Sequence, residues 1–325
     1  MKILFVSDIH LKLRKEAEFE KNRFEKLFDF IEQQEVDVVI LGGDIFDFKN
    51  PTLDEISVFY ENVLKLPQDV IVISGNHETI DNETSTFTKL PQFGFKYYDI
   101  TEEPLEYKNY HLYFVSHHNI KKIKNLKTKS THYNVLFSHI RSNIGMIKQE
   151  IDVRRISKKF DQVFLGDIHI QYDPFDNVHY CGSPYTIQFE PQRQTGCFLI
   201  ELKDEGVDYK FIDLSWLPQK IKLVATCKEY NNLVQALSKD NLYKIYLSCS
   251  VEEQFDVNVP KNVTIVFDKV IENIEEKVDE IVSFDGMDIV DALIELVQQD
   301  ESITPEIFQK GVELLKDVTK RVSNG

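Results

Sequence analysis

Positive charge is scarce in this sequence: 38 Lys and Arg stand against 54 Asp and Glu, a net of −16 at pH 7 over 325 residues. Non-specific affinity for nucleic acid comes from Lys and Arg neutralising phosphates, so a DNA partner would need positive charge from elsewhere. Cysteine is scarce as well. Cys181, Cys197, Cys227 and Cys249 are widely spaced, with no C-x-x-C pair. That spacing argues against a zinc ribbon or a thiol redox motif and predicts reduced, buried thiols. Long apolar runs are missing too. The opening Met1 to Val6 run is broken by Asp8, which predicts neither a signal peptide nor a roughly 20-residue membrane span, and hence a cytoplasmic location.

What is present is ample material for a folded core, 42% hydrophobic and 12% aromatic, over a length that suits about two domains. The acidic imbalance is local: twelve Asp or Glu and two Lys lie between Asp268 and Glu301, a net of −10 that leaves only −6 for the remainder. Short, almost wholly apolar runs recur at Ile3 to Val6, Val36 to Leu41, Val70 to Ile73, Leu112 to Val115, Val135 to Phe137 and Val163 to Leu165. Runs of this kind are expected of central strands covered on both faces. Helical spacing links Phe24, Leu27, Phe28 and Ile31, and again Ile56, Phe59, Tyr60 and Val63, with Pro51 and Thr52 marking a helix start. Strand, helix, strand, helix predicts α/β architecture. After Trp216 the pattern changes to a strand near Lys220 to Ala225, a helix near Tyr230 to Leu237 and strands at Tyr243 to Ser248 and Val263 to Phe267. A small α+β domain is expected there, then an acidic helical section with Ile289, Val290, Leu293, Ile294 and Val297 on one face and a last helix from Thr304-Pro305-Glu306.

The metal-competent residues fall in a pattern. Asp8 and His10 follow the first strand, Asp44 the second, Asn76 and His77 the third, His139 the fifth, and Asp167 and His169 the sixth. Strand ends of α/β sheets are where ligand sites form. Taken singly, an Asp after a strand is often a helix cap and a lone His is usually structural. Eight such side chains on five strand ends are hard to assign to packing, because buried polar groups are costly unless something satisfies them. Carboxylates, imidazoles and an Asn carbonyl with no thiolate suit Mn, Fe or Mg. Two such ions, bridged by a carboxylate, would clamp both oxygens of an in-line phosphoryl displacement, so phosphoester hydrolysis is the reaction class implied.

In order, Asp8-Ile9-His10, Gly43-Asp44, Gly75-Asn76-His77-Glu78, Ser138-His139 and Gly166-Asp167-Ile168-His169 resemble the motifs of the calcineurin-like metallophosphoesterases. Gly43-Asp44-Ile45-Phe46-Asp47 and Val178-His179-Tyr180-Cys181-Gly182-Ser183-Pro184, continued by Gln188-Phe189-Glu190 and a closing strand from Gly196 to Leu202, are similar to the SbcD nuclease family within it. The likeness spans about residues 1 to 202. It implies a two-sheet sandwich flanked by helices over 1–214, a small α+β capping domain over 215–270, and an acidic linker with C-terminal helices for an ATPase partner over 271–325. It implies that Asp8, His10, Asp44 and His169 hold one divalent ion and Asp44, Asn76, His139 and Asp167 the other, Mn first and Mg second, with Asp44 bridging. His77 would be catalytic, giving a proton to the leaving oxygen, and Glu78 and Asp47 would orient the ligands.

The resemblance further implies DNA exonuclease and endonuclease activity in recombination, repair or replication, a homodimer, and a coiled-coil ATPase of the SbcC type that supplies much of the DNA-binding surface. If the source is a phage, the compartment is the host cytoplasm. Two residues depart from the family pattern: Asp167 stands where histidine is usual, and Glu78 where aspartate is commoner. The alternatives are a phosphatase or cyclic-nucleotide phosphodiesterase of the same superfamily, and a scaffold whose altered second site does not cleave. Lys121, Lys122, Lys124, Lys127 and Lys129 beside His117-His118, and Arg154, Arg155, Lys158 and Lys159, read as solvated loops or a DNA-backbone contact. The Ile56, Phe59, Tyr60 and Val63 stripe reads as core or dimer face, and His111, His132 and His179 show no ligand-like context.

Overall fold

The structure, a computed structural model, describes residues 1–141, 150–249 and 259–267. The acidic segment from Asp268 to Glu301 and the helices expected around Ile289 to Val297 and from Thr304 lie outside the described residues.

Two six-stranded sheets form the body. The first contains β1 (Lys2–Val6), β2 (Val38–Gly42), β3 (Asp69–Ile73) and β4 (Lys96–Tyr97), parallel to one another, and is closed by β11 (Gly196–Lys203), antiparallel to β1, and β12 (Gly206–Asp213). The second runs β5 (Leu105–Tyr107), β6 (Tyr110–Val115), β7 (Tyr133–His139), β8 (Gln162–Gly166), β10 (Val178–Tyr180) and β9 (Tyr172–Phe175), with the β6, β7, β8 and β10 strands parallel. All six apolar runs are strands. Each of β1, β2 and β3 has four consecutive buried residues, because successive side chains point to opposite faces and both faces are covered.

The alternation explains the layers. Leu4, Val6, Val39, Leu41, Val70 and Val72 pack on Phe24, Leu27, Phe28 and Ile31 of α1 (Ala17–Glu32) and on Val58, Phe59 and Val63 of α2 (Leu53–Val63). Their sequence neighbours Ile3, Phe5, Ile40, Ile71 and Ile73 meet Leu112, Phe114, Val135, Phe137 and Phe164 of the second sheet. The outer face of that sheet is covered by Ile120 and Ile123 of a 3-10 helix (His117–Asn125) and Ile156 of α4 (Val153–Ser157); a short α3 (Thr86–Lys89) lies between β3 and β4. Each such buried side chain contributes roughly 1.5–3 kcal/mol. Thr52 does cap α2: its hydroxyl accepts from the Glu55 N–H at 3.2 Å and the Glu55 carboxylate accepts from the Thr52 N–H at 2.7 Å.

The third sheet joins β13 (Lys220–Thr226), β14 (Leu242–Ser248) and β15 (Val263–Phe267) in parallel, with α5 (Cys227–Ala236) against it and its own core of Ile221, Tyr230, Tyr243, Ile245 and Leu247. The described residues belong to one compact unit. The Lys220 amine, at the head of β13, bridges Glu16 and the buried Glu20, which also pairs with the buried Arg23 at 2.6 Å. The expectation of four reduced thiols does not hold. Cys227 and Cys249 form a disulfide, their Cα atoms brought to 5.2 Å by the start of α5 and the end of β14, so only Cys181 and Cys197 are free and buried.

Candidate metal centre

The two sheets meet with the C-terminal ends of their parallel strands on a common edge, and this places the chemistry. The turns after β1, β2 and β3 carry Asp8 and His10, Asp44, and Asn76 and His77; β7 ends in His139, and the turn after β8 carries Asp167 and His169. Backbone bonds knit the turns together: Asp8 N–H donates to Gly43 O (3.0 Å), His10 N–H to Asp44 O (2.8 Å) and Leu11 N–H to Ile45 O (2.7 Å). The turns are strained. Asp8, His10, Asp44 and Asp167 all have positive φ, as only Glu16 and Lys108 do among the other described non-glycine residues. Such outliers persist where the surroundings over-determine them and cluster at functional sites. Gly43 and Gly75 are required for the close approach: at φ +97°, a Cβ on Gly43 would lie 2.5 Å from His139 Nδ1, and one on Gly75 would lie 2.0 Å from Asp44 Oδ1.

Asp44 Oδ2 is the common neighbour, 3.4 Å from Nε2 of His139, 3.6 Å from Nε2 of His10 and 3.8 Å from Nε2 of His77. Asp8 Oδ1 lies 3.7 Å from His169 Nε2 and 3.9 Å from His139 Nε2. Three sets of donors could each share a cation: Asp8, His10 and His169; Asp8, Asp44 and His139; and His10, Asp44 and His77. Bonds of about 2.0–2.2 Å at tetrahedral to octahedral angles set ligand atoms roughly 3–3.5 Å apart, so the cluster is close to coordinating dimensions.

Hydrogen bonds on the far side of the rings turn their Nε2 lone pairs inward. His139 Nδ1 donates to Gly42 O (2.9 Å) and His77 Nδ1 to Asp47 O (2.8 Å), while His10 Nδ1 is 3.1 Å from Asp47 Oδ1. His10 Nε2 is then a buried ring nitrogen with no hydrogen-bond partner. The Asn76 amide gives a second test of fit. One atom of its terminal amide is 3.2 Å from Asp44 Oδ2, 2.9 Å from Asp167 Oδ1 and 3.1 Å from His139 Nε2. With NH2 in that place its two hydrogens are shared among three acceptors; with the carbonyl oxygen there, four lone-pair donors converge, and a proton on His139 Nε2 or a metal cation reconciles them. The residues fit divalent metal ions.

Electrostatics agrees. Burial pushes the Asp8 carboxyl up to about 6, against the pull of His139 and with the push of Asp44. Burial works on Asp44 too, but His139, His10 and His77 outweigh it and hold its carboxyl well below the usual range. Burial disfavours charge on His139, yet Asp44, Asp8 and Asp167 lift it well above an ordinary imidazole. His169 goes the other way, dropped to about 3 by burial with His10 beside it. Negative charge concentrated in a dry edge is what a dication would compensate.

The expected orienting residues divide. Asp47 contacts His10 directly and pairs with Lys12 at 2.7 Å. Glu78 does not touch the His77 ring; its buried carboxylate accepts N–H groups of Asp44 (3.0 Å), Phe46 (2.8 Å) and Gly75 (2.7 Å), clamping the second and third turns together. Burial and Asp44 push Glu78 up to about 7, against those N–H donors. Asp167 departs from expectation more. Its Oδ1 faces the cluster, but both oxygens are held by Arg141, Nε to Oδ2 at 2.9 Å and Nη2 to Oδ1 at 2.8 Å. Sequence reasoning missed Arg141; its position two residues past His139 is the signal that was there.

His117 also reaches the edge, its ring 6.4 Å from that of His139 and its nitrogens bonded to Thr79 and Glu150, while His118 is buried against Asp99. His111 stacks on His132, and His179 bonds Asp173 and Gln162; neither lies among the site residues.

The chain belongs to the calcineurin-like phosphoesterase family, which matches residues 1–209. Three of its relatives are named as nuclease or repair proteins. It is 30% identical over 242 residues to the "Probable exonuclease subunit 1" of Escherichia phage T5, covering 68% of this chain and 72% of that one. It is 23% identical over 264 residues to the "DNA double-strand break repair protein Mre11" of Methanopyrus kandleri (66% and 57%), and 22% identical over 264 residues to the SbcD component of the SbcCD nuclease of Staphylococcus saprophyticus (67% and 70%). Among the described residues no helix is long and apolar enough to cross a membrane.

Proposed function

We propose that this chain hydrolyses DNA phosphodiesters with two divalent ions, Mn in preference to Mg, as the nuclease component of a complex with a coiled-coil ATPase of the SbcC type. The observation that carries the reading is the convergence of Asp44 Oδ2, Asp167 Oδ1 and His139 Nε2 on the Asn76 amide, a set of inward-facing donor atoms of the kind a divalent cation takes up. Asp8, His10, Asp44 and His169 would hold one ion and Asp44, Asn76, His139 and Asp167 the other. Such a pair supplies Lewis-acid activation and charge neutralisation at a phosphoryl group.

The chain's own residues do the rest. His77, like His169, is a little over one-third exposed where most of the cluster is buried. Its Nδ1–H is fixed on Asp47 O, which leaves Nε2 free to hold a proton for the leaving oxygen. Asp47 and Glu78 keep the turns in register. The nuclease names of the relatives, with the likeness at Gly43 to Asp47 and Val178 to Pro184, favour DNA over a small phosphoester.

Chain-to-chain pairing is supported by Leu53, Leu64 and Phe93, apolar and well exposed beside α2, whereas Phe59 and Val63 of the stripe are core. The division at 214/215 and the assignment of 271–325 to the ATPase belong to the same proposal. Mn-dependent degradation of linear duplex DNA, run beside a small chromogenic phosphodiester, tests it. Cleavage of the small ester alone would favour a phosphodiesterase, and cleavage of neither a scaffold.

A further inference from the structure

Three carboxylates, Asp8, Asp44 and Asp167, lie within this cluster with at most 2% of each side chain exposed. Uncompensated, the third would add a buried negative charge beside the other two, which is costly in the metal-free chain. Arg141 compensates it. The guanidinium fork meets the carboxylate edge with two parallel bonds of 2.8 and 2.9 Å, a geometry a lysine amine does not reproduce. The fork also occupies Asp167 Oδ2, so that Oδ1 is the oxygen turned to Asn76 and His139. The pair therefore presents what a neutral imidazole presents: no net charge and one donor atom.

Arg141 is itself anchored to the site. Its N–H donates to Glu150 Oε2 at 3.0 Å, and Glu150 Oε1 lies 3.0 Å from His117 Nε2. His117 Nδ1 is 3.1 Å from the Thr79 hydroxyl, which donates to Gly75 O beside Asn76. The chain after β7 and the turn after β3 are thus tied through one row of polar groups.

We propose that Arg141 is a positioning residue for the second metal, and that the Arg141–Asp167 pair acts as one unit in place of a histidine. The inference rests on the two-metal reading of the site. Its signature is a reversal: Arg141 supports the centre when residue 167 is a carboxylate and harms it when residue 167 is an imidazole, because an unpaired guanidinium then sits beside the cation.

The test compares full-length wild type, R141Q, R141K, D167H and R141Q/D167H by metal-free melting temperature and by Mn2+ titration calorimetry. R141Q should lower the metal-free melting temperature by roughly 4 °C or more in the wild-type background and by less than about 1 °C in the D167H background. R141K, which keeps the charge but not the fork, should fall between wild type and R141Q. D167H should bind its weaker Mn2+ roughly tenfold less tightly than wild type, and R141Q/D167H should recover that loss. Equal effects of R141Q in the two backgrounds, with wild type binding two Mn2+, would overturn the inference alone. A wild type that takes up no Mn2+ would overturn the two-metal reading, and the inference with it.

Discussion

Nδ1 of His10 lies 3.1 Å from Oδ1 of Asp47, and that contact turns the opposite ring nitrogen, buried and without another partner, toward Asp44. Burial would raise the Asp47 carboxyl, but hydrogen bonds from His10 and Lys12 outweigh it and hold it below its ordinary value, so it faces His10 as an anion. An anion there fixes the ring and strengthens its basicity as a ligand. Asp47→Ala should therefore weaken Mn2+ binding about 10- to 100-fold while leaving the fold intact. Calorimetry on the two proteins checks this, and unchanged affinity would show that His10 needs no such support.

His77 is placed to serve substrate, yet its Nε2 is near enough to Asp44 to share a cation with His10. The two roles separate cleanly. His77→Ala should reduce cleavage roughly 10²- to 10⁴-fold with both metals retained. Metal content measured by mass spectrometry alongside activity decides it: if metal is lost with activity, His77 is a ligand.

Proton linkage follows from the same buried groups. In the metal-free chain the Asp8 and Glu78 carboxyls are raised to about 6 and about 7, and His10 and His139 are raised as well. Groups raised in the folded state stabilise it below their unfolded values and lose that contribution as pH climbs through the folded ones. The contribution of Asp8 and Glu78 to metal-free stability should thus be lost between about pH 4 and 7, while His169, depressed to about 3, acts in the opposite sense up to the value of a free imidazole. A bound dication favours the deprotonated forms, so Mn2+ binding near pH 6.5 should release protons, and the stabilisation it confers should grow with pH. His169, already neutral, releases none. Calorimetry in buffers of different ionisation enthalpy measures the release; proton uptake would contradict the assignment.

How much of this was legible in the sequence depends on whether burial or pairing set the feature. Buried parallel strands write themselves as unbroken apolar runs, so β1, β2, β3, β6, β7 and β8 were readable, with ends that differ by two residues or fewer. Short or half-exposed strands such as β4, β9 and the β12 sequence GVDYKFID carry no such run and were missed. The residues gathered at the metal centre were conspicuous because polar groups follow those runs directly. Their partners were not. Whether Arg141 turns back onto Asp167, or Cys227 onto Cys249, depends on how the chain leaves its strand, which spacing along the sequence does not state.

The central claim is that Asp44 bridges two metal ions between the turns of two sheets, and anomalous diffraction from Mn-soaked crystals tests it most directly. Two manganese peaks about 3.5–4 Å apart are predicted, both within bonding distance of the Asp44 carboxylate, one toward His10 and His169 and the other toward Asn76 and His139. A single peak, or two peaks of which Asp44 touches only one, would contradict it.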